Sequence, residues 1–156
     1  MIDFIKRHRE LLISLAIPLI VGGASALLSG GTKVNPRLET PPLMPPEWVF
    51  PVVWTALYLL MGYGSYLIYK SRQDGKGAAL LAYGAQLFAN FLWSILFFRF
   101  EFLLGTLIDA VILWALAILM VWLFADINKK AAILQIPYVL WLTFATYLSF
   151  GFWALN

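Results

Sequence analysis

The sequence predicts an all-α integral membrane protein, one domain built as a five-transmembrane-helix bundle. Three observations predict it. The 156 residues are 62% hydrophobic and only 12% charged, about half the charged share of an ordinary soluble domain. Five apolar stretches reach the roughly 20 residues a helix needs to cross a bilayer. The basic residues gather in the short connections between them, where membrane proteins carry their topology signal.

The spans run from Leu11 to Ser29, Trp48 to Tyr69, Ala78 to Phe98, Phe102 to Ala125 and Ala131 to Leu155. Helices are expected because lipid offers no partner to open backbone, and the alternation of a barrel strand is missing. The first span follows the basic run KRHR and ends near Ala24-Ser25-Ala26, which is similar to a signal-peptidase site. Cleavage there would remove residues 1–26 and leave four spans. The retained helix is preferred, because the apolar run continues past the site.

Residues 30–47 join the first two spans and hold Pro36, Pro41, Pro42, Pro45 and Pro46, which fix φ and forbid a regular helix. A stiff loop of this length is either a lid over a site or a plain spacer. The remaining connections are short. No internal repeat is visible, which counts against transporter folds built from inverted halves.

One membrane face receives Lys6, Arg7, Arg9, Lys70, Arg72, Lys76, Lys129 and Lys130, the other only Lys33, Arg37 and Arg99. The positive-inside rule then places the N-terminus in the cytoplasm and Asn156 outside. The net charge of +3 belongs to this topology signal, so nucleic acid is not an expected partner.

Much chemistry has no machinery here. There is no cysteine, and the one histidine, His8, lies in the basic N-terminal run. Disulfides, thiolate catalysis and a histidine-held metal or haem iron are therefore not expected. No Ser-His-Asp set, HExxH, P-loop or paired carboxylate is present for ordinary hydrolysis or phosphoryl transfer.

Polar and aromatic groups inside a bilayer need a reason. In the third span Gln86, Asn90, Trp93 and Phe97 fall on one helical stripe, as do Trp54, Tyr58, Met61 and Ser65 in the second. Tyr138, Trp141, Ala145, Ser149 and Phe152 share a face of the fifth, and Asp109 is the one acid well inside a span. At about 1.5 Å per residue, Trp54, Tyr58, Asn90, Trp93, Asp109, Ala145 and Ser149 lie in the outer half of the membrane, with Trp141 nearer the middle. An aromatic box with a few hydrogen-bonding groups under a proline-rich loop suits a flat, mostly apolar ligand. The structural alternatives are interhelical glue for Gln86 and Asn90 and a plain hydrogen-bond partner for Asp109. Trp48 and Trp153 read as interface anchors, while Trp114 and Trp122 face lipid or pack between helices. Gly22 with Ala26, and Ala85 with Ala89, are small-residue pairs that let helices approach.

Residues 45–70, PPEWVFPVVWTALYLLMGYGSYLIYK, resemble the signature of the translocator protein family, also called tryptophan-rich sensory proteins or peripheral benzodiazepine receptors. QLFANFLWSILFF at 86–98 is similar to the family's third-helix motif, LIDAV at 107–111 to its fourth-helix element, and IPYVLWLTFATYLSF at 136–150 to its fifth. The resemblance covers roughly residues 18–156. It implies a five-helix membrane fold, usually a homodimer, with a pocket in each bundle closed by the first loop. It also implies binding of porphyrins and other tetrapyrroles, of sterols in animal members, and of synthetic benzodiazepine-type ligands. Carried over by motif position, the ligand-binding residues are Trp54, Tyr58, Asn90, Trp93, Trp141, Ala145 and Ser149.

The chain departs from the family pattern in places. TPPLMPP puts Leu43 where a Trp is common, and FFR replaces FFG with Arg99. Ser149 stands for an Asn and Phe150 for a Tyr, and no basic residue follows Lys130 to complete the sterol pattern of animal members.

Three functions are carried forward. The first is a membrane receptor or sensor that binds a porphyrin-like ligand in the tryptophan-rich pocket, with Lys33 or Arg37 pairing with propionates and no cofactor required. The second is light-dependent porphyrin degradation, with Trp54 and Trp141 as the photochemistry candidates. The third is transport of such ligands, for which Asp109 is the available ionisable group.

Overall fold

The computed structural model describes residues 2–156, with side chains from His8 onward and those of Phe4 and Ile5. Lys6 and Arg7, counted above toward the basic face, lie outside the described side chains. Helix α1 spans Ile2–Leu28, α2 Val49–Lys70, α3 Lys76–Ser94 with a π-helical end at Ile95–Arg99, and α4 Leu103–Ile127. The fifth span is divided into α5, Lys129–Ile133, and α6, Ile136–Leu155. Five helical stretches are long and apolar enough to cross a membrane.

The ends follow local chemistry. Helix α1 begins well before the apolar run because residues 2–10 satisfy their backbone in helical form even where they are polar. The fifth span breaks at Leu134 and Gln135 because Pro137 has no N–H to continue the ladder, and it sits instead in the first turn of α6. Gln135 bridges the break. Its side-chain amide donates to the Leu60 carbonyl at 3.1 Å and the Ala131 carbonyl at 3.4 Å. The Asn128 side chain caps α5 by accepting from the Ala131 N–H at 3.1 Å.

Helix α1 packs on α2 and α3, α3 on α4, α4 on α6, and α2 on α5. The five spans therefore close into a ring in the order first, second, fifth, fourth, third. In lipid, apolar burial gives little drive between helices, so close approach and hydrogen bonds must supply it. Small buried residues do so here, among them Ala79, Ala82, Ala89, Ala117, Ala131 and Ala132. Gly62 marks the tightest crossing, since an added Cβ would stand 2.6 Å from the Ser14 carbonyl oxygen and 2.7 Å from Leu15 Cα. Large apolar residues such as Ile20, Leu27, Leu81, Phe88 and Leu140 point outward, as a lipid-facing surface requires.

Candidate functional site

Between the helices, at the end of the bundle where the first loop lies, a cavity of about 340 Å³ opens. Each helix brings a different kind of group to it. Helix α1 supplies Leu19, Gly22, Gly23 and Ala26, a wall with little side-chain bulk. Helix α2 supplies Phe50, Trp54 and Tyr58, which recur every fourth residue and so share one face. Helix α3 gives Asn90, Trp93 and Phe98, while Ala110 and Leu113 of α4 and Leu142, Ala145 and Thr146 of α6 complete it.

Aromatic rings support one another around this space. Trp54 lies against Tyr58 with centroids 5.5 Å apart and meets Tyr138 edge-on at 6.2 Å. Trp93 stacks on Phe97 at 5.3 Å, and Phe97 meets Phe98 and Phe152 edge-on, each at 4.9 Å. The π turn explains the last cluster. It adds a residue per turn at the end of α3, so Phe97 is buried against α6 while Phe98 reaches the cavity. Gly22 is needed where it stands, because a Cβ there would run into the Tyr58 ring.

Below the cavity a buried chain of hydrogen bonds crosses three helices. Tyr58 donates to Asn90 Oδ1 at 2.8 Å, and Asn90 Nδ2 donates to the Tyr138 hydroxyl at 3.2 Å. Tyr138 donates to Gln86 Oε1 at 2.6 Å, and Gln86 Nε2 reaches the Met61 sulfur at 3.6 Å. The sense of this chain is fixed at its far end. A thioether can only accept, so the Gln86 amide nitrogen faces Met61 and its oxygen is left for Tyr138. The Tyr138 hydroxyl must then receive from Asn90, whose own oxygen takes the proton of Tyr58.

The first loop is tied down over the same end. The Tyr147 hydroxyl donates to the Pro42 carbonyl at 2.9 Å, and Pro41 packs against Gly151, where a Cβ would collide with it. Asn156 is paired twice with the Glu39 backbone, accepting its N–H at 2.8 Å and donating to its carbonyl at 3.0 Å. Asn35 donates to Glu101 Oε1 at 2.8 Å, and Arg99 donates to the Leu28 carbonyl at 2.9 Å. Thr32 is the loop residue that lines the cavity, whereas Lys33 and Arg37 are exposed.

Of the residues named from the sequence, Trp54, Tyr58, Asn90, Trp93 and Ala145 line the cavity. Ser149 stands behind it. It accepts the Trp93 indole N–H at 3.2 Å and donates to the Ala145 carbonyl at 2.9 Å. Trp141 also stands one ring back, edge-on to Phe50 at 5.9 Å, with its buried indole nitrogen unpaired among the described residues. Asp109 is buried on α4 away from the lining, and its Oδ2 has no hydrogen-bond partner among the described residues. Sequence reasoning missed Phe50, Phe98, Thr146 and the α1 wall. Phe50 was within reach, one turn before Trp54 on the same stripe. Phe98 lies off the stripe of Trp93 and Phe97, four residues after Ser94, which also lines the cavity.

The sequence model of the TspO/MBR family matches residues 14–154. The chain belongs to the TspO/MBR family. Among its relatives, the Tryptophan-rich protein TspO of Chlorobaculum tepidum is 34% identical over 154 residues, covering 91% of this chain and 96% of that protein. The Tryptophan-rich sensory protein of Cereibacter sphaeroides is 36% identical over 120 residues, covering 77% and 75%. The Translocator protein of Bos taurus is 32% identical over 137 residues, covering 86% and 81%. The family match takes in residues of every helix that borders the cavity.

Proposed function

We propose that this protein is a membrane receptor or sensor that binds a porphyrin or related tetrapyrrole in the cavity under the first loop. The observation that carries the reading is the cavity's composition. Indoles from two helices, the rings of Phe50, Tyr58 and Phe98, and a single buried amide, Asn90, surround a mostly apolar space whose other polar groups are the hydroxyls of Thr32, Thr55, Ser94 and Thr146. Its volume of about 340 Å³ lies in the lower part of the range for small-molecule sites. The bare α1 wall leaves room for the edge of a flat ring beyond it. Trp54 and Trp93 would stack on or edge against the macrocycle, and Thr32 puts the neighbouring Lys33 within the loop that would meet its propionates. The same reading has a homodimer in a bacterial cell membrane, its N-terminus cytoplasmic and its C-terminus outside, in line with the basic residues of the connections.

The test is a titration with protoporphyrin in the dark, followed by absorbance and tryptophan quenching. Saturable quenching that weakens about two- to ten-fold in Trp54→Phe and Trp93→Phe is expected. No saturable quenching in a folded sample would sink the reading.

Light-dependent degradation of the bound ring is the second reading, and the place of Trp141 favours it. Its indole lies behind Phe50, which itself borders the cavity, so it could give an electron to a light-excited ring bound there, with dioxygen as the oxidant that ring degradation consumes. Illumination of the wild type and of Trp141→Phe, with product counted per protein, separates this from passive binding.

A further inference from the structure

The cavity under the first loop is not walled equally on all sides. Among the described residues that line it, those from α3, α4 and α6 are all buried or half-buried. The exposed ones are Leu19 and Gly23 of α1, Pro51 and Thr55 of α2, and Thr32 at the start of the loop. Leu19 and Gly23 stand four residues apart, as do Pro51 and Thr55, so each pair forms one row along its helix. Their direction follows from the packing beside them. Gly22 meets the Tyr58 ring, and Gly62 meets Ser14 and Leu15. At 3.6 residues per turn, Leu19 and Gly23 fall beside Leu15 and Gly22 on the flank of α1 turned toward α2. Pro51 and Thr55 fall beside Tyr58 and Gly62 on the flank of α2 turned toward α1. The two rows are the facing sides of a gap between the helices.

This gap faces lipid. Measured from the helix ends at Leu28 and Val49, it runs from about 3 Å deep at Pro51 to about 13.5 Å at Leu19. Ile20 and Val52, next in sequence to Leu19 and Pro51, stand on its outer rim and are 66% and 60% exposed. No charged residue lies between Glu10 and Lys33 or between Glu47 and Lys70. The sides of the gap also carry little bulk, since a Cβ on Gly23 would meet nothing within 4 Å. Thr55 donates to the Pro51 carbonyl at 2.7 Å, so its hydroxyl finds a partner in its own helix and leaves no bare donor toward acyl chains. Leu19 and the contact of Gly22 with Tyr58 close the gap from below, and Thr32 borders it from above.

We infer that the cavity takes its guest sideways, from the acyl region of the leaflet on the first-loop side, through the gap between α1 and α2. The route presupposes the tetrapyrrole reading of the cavity and adds where that ligand comes from. A flat, mostly apolar molecule gathers in hydrocarbon rather than water, and the gap lies at the depth where its rings would rest. Passing between Gly23 and Thr55 keeps those rings out of water throughout, while polar edge groups trail at the level of Thr32 and the exposed Lys33. Guests are thus molecules already dissolved in the bilayer. Loosening the loop raises the upper border and widens the same gap.

The chain has no cysteine, so Ile20→Cys combined with Val52→Cys sets two thiols on the outer rim, one on each side of the gap and neither in the cavity lining. A flexible bis-maleimide with a reducible linker, joined to both in the full chain in lipid nanodiscs, bars the gap from the lipid side. Stopped-flow tryptophan quenching with protoporphyrin should then show loading and release both slowed about ten-fold, with the affinity within about two-fold of the unlinked protein. Reductant should restore both rates. A second arm needs no porphyrin. Phospholipids brominated midway along the acyl chain should quench the Trp54 indole, read as the difference between the protein and its Trp54→Phe variant, and the linker should remove most of that quenching. Protoporphyrin that fails to bind even the unlinked protein would sink the ligand reading and leave the brominated lipids to decide the route. Rates unmoved by the linker, a slowing of release alone, or a Trp54 that bromine does not reach would each overturn the route.

Discussion

The indole of Trp93 on α3 gives its N–H to the hydroxyl of Ser149 on α6, 3.2 Å away, and Ser149 passes its own proton to the Ala145 carbonyl at 2.9 Å. One ring of the cavity is thus held by a residue that does not touch the cavity. Ser149→Ala leaves the buried indole N–H unpaired and should cost about 1–2 kcal/mol of stability. Trp93→Phe removes the donor too, so the double variant should cost less than the two single changes combined. Unfolding in mixed micelles gives both numbers, and strict additivity would show that the bond carries no coupling.

The chain from Tyr58 to Met61 makes a graded prediction. Tyr138 is fully buried in its middle and Asn90 bonds to both neighbours. Asn90→Leu strands the Tyr58 O–H and takes from Tyr138 the bond it accepts, and should destabilise by about 2–3 kcal/mol, whereas Tyr58→Phe, at the end, should cost about 1 kcal/mol. The same unfolding assay checks the order, and equal losses at the two sites would contradict it.

Two adjacent glycines should behave differently. A Cβ on Gly22 runs into the Tyr58 ring, while one on Gly23 meets nothing within 4 Å. Gly22→Ala should therefore displace Tyr58 and weaken protoporphyrin binding at least five-fold, with Gly23→Ala within about two-fold of wild type. Tryptophan quenching reads both.

The loop fastening predicts a kinetic effect. Gly151→Ala drives a methyl group into Pro41, and Tyr147→Phe frees the Pro42 carbonyl. Both should speed ligand release, by about five- to ten-fold for the glycine change, with the association constant falling mainly through the off-rate. Stopped-flow fluorescence on mixing loaded protein with excess empty micelles measures it. An unchanged off-rate in both variants would make the loop a spacer.

The membrane character of the chain was legible because hydropathy reports the solvent of each segment, and the five apolar runs coincide closely with helices. Hydropathy does not report where a helix begins, so α1 starts at Ile2 rather than Leu11. The division of the fifth span was written in Pro137, within a run otherwise apolar enough to read as continuous. In the cavity, Trp54 and Tyr58, like Asn90 and Trp93, were found together because they obey helical spacing. Phe98 escaped because it lies off the stripe of Trp93 and Phe97, on the neighbouring row with Ser94. Trp141 and Ser149 share the right face of α6, but the ring closes in a way that puts Phe50 in front of the first and Trp93 against the second.

The one-way sense of the buried chain has a consequence for what the cavity admits. With its single proton committed to Asn90, the Tyr58 oxygen shows a guest only lone pairs. A guest satisfies it by bringing a donor, such as a ring or lactam N–H or a hydroxyl, and one that offers only acceptors leaves it bare. Because Met61 anchors the far end of the row, a thioether deep in the core governs which polarity of visitor is welcomed at the rim.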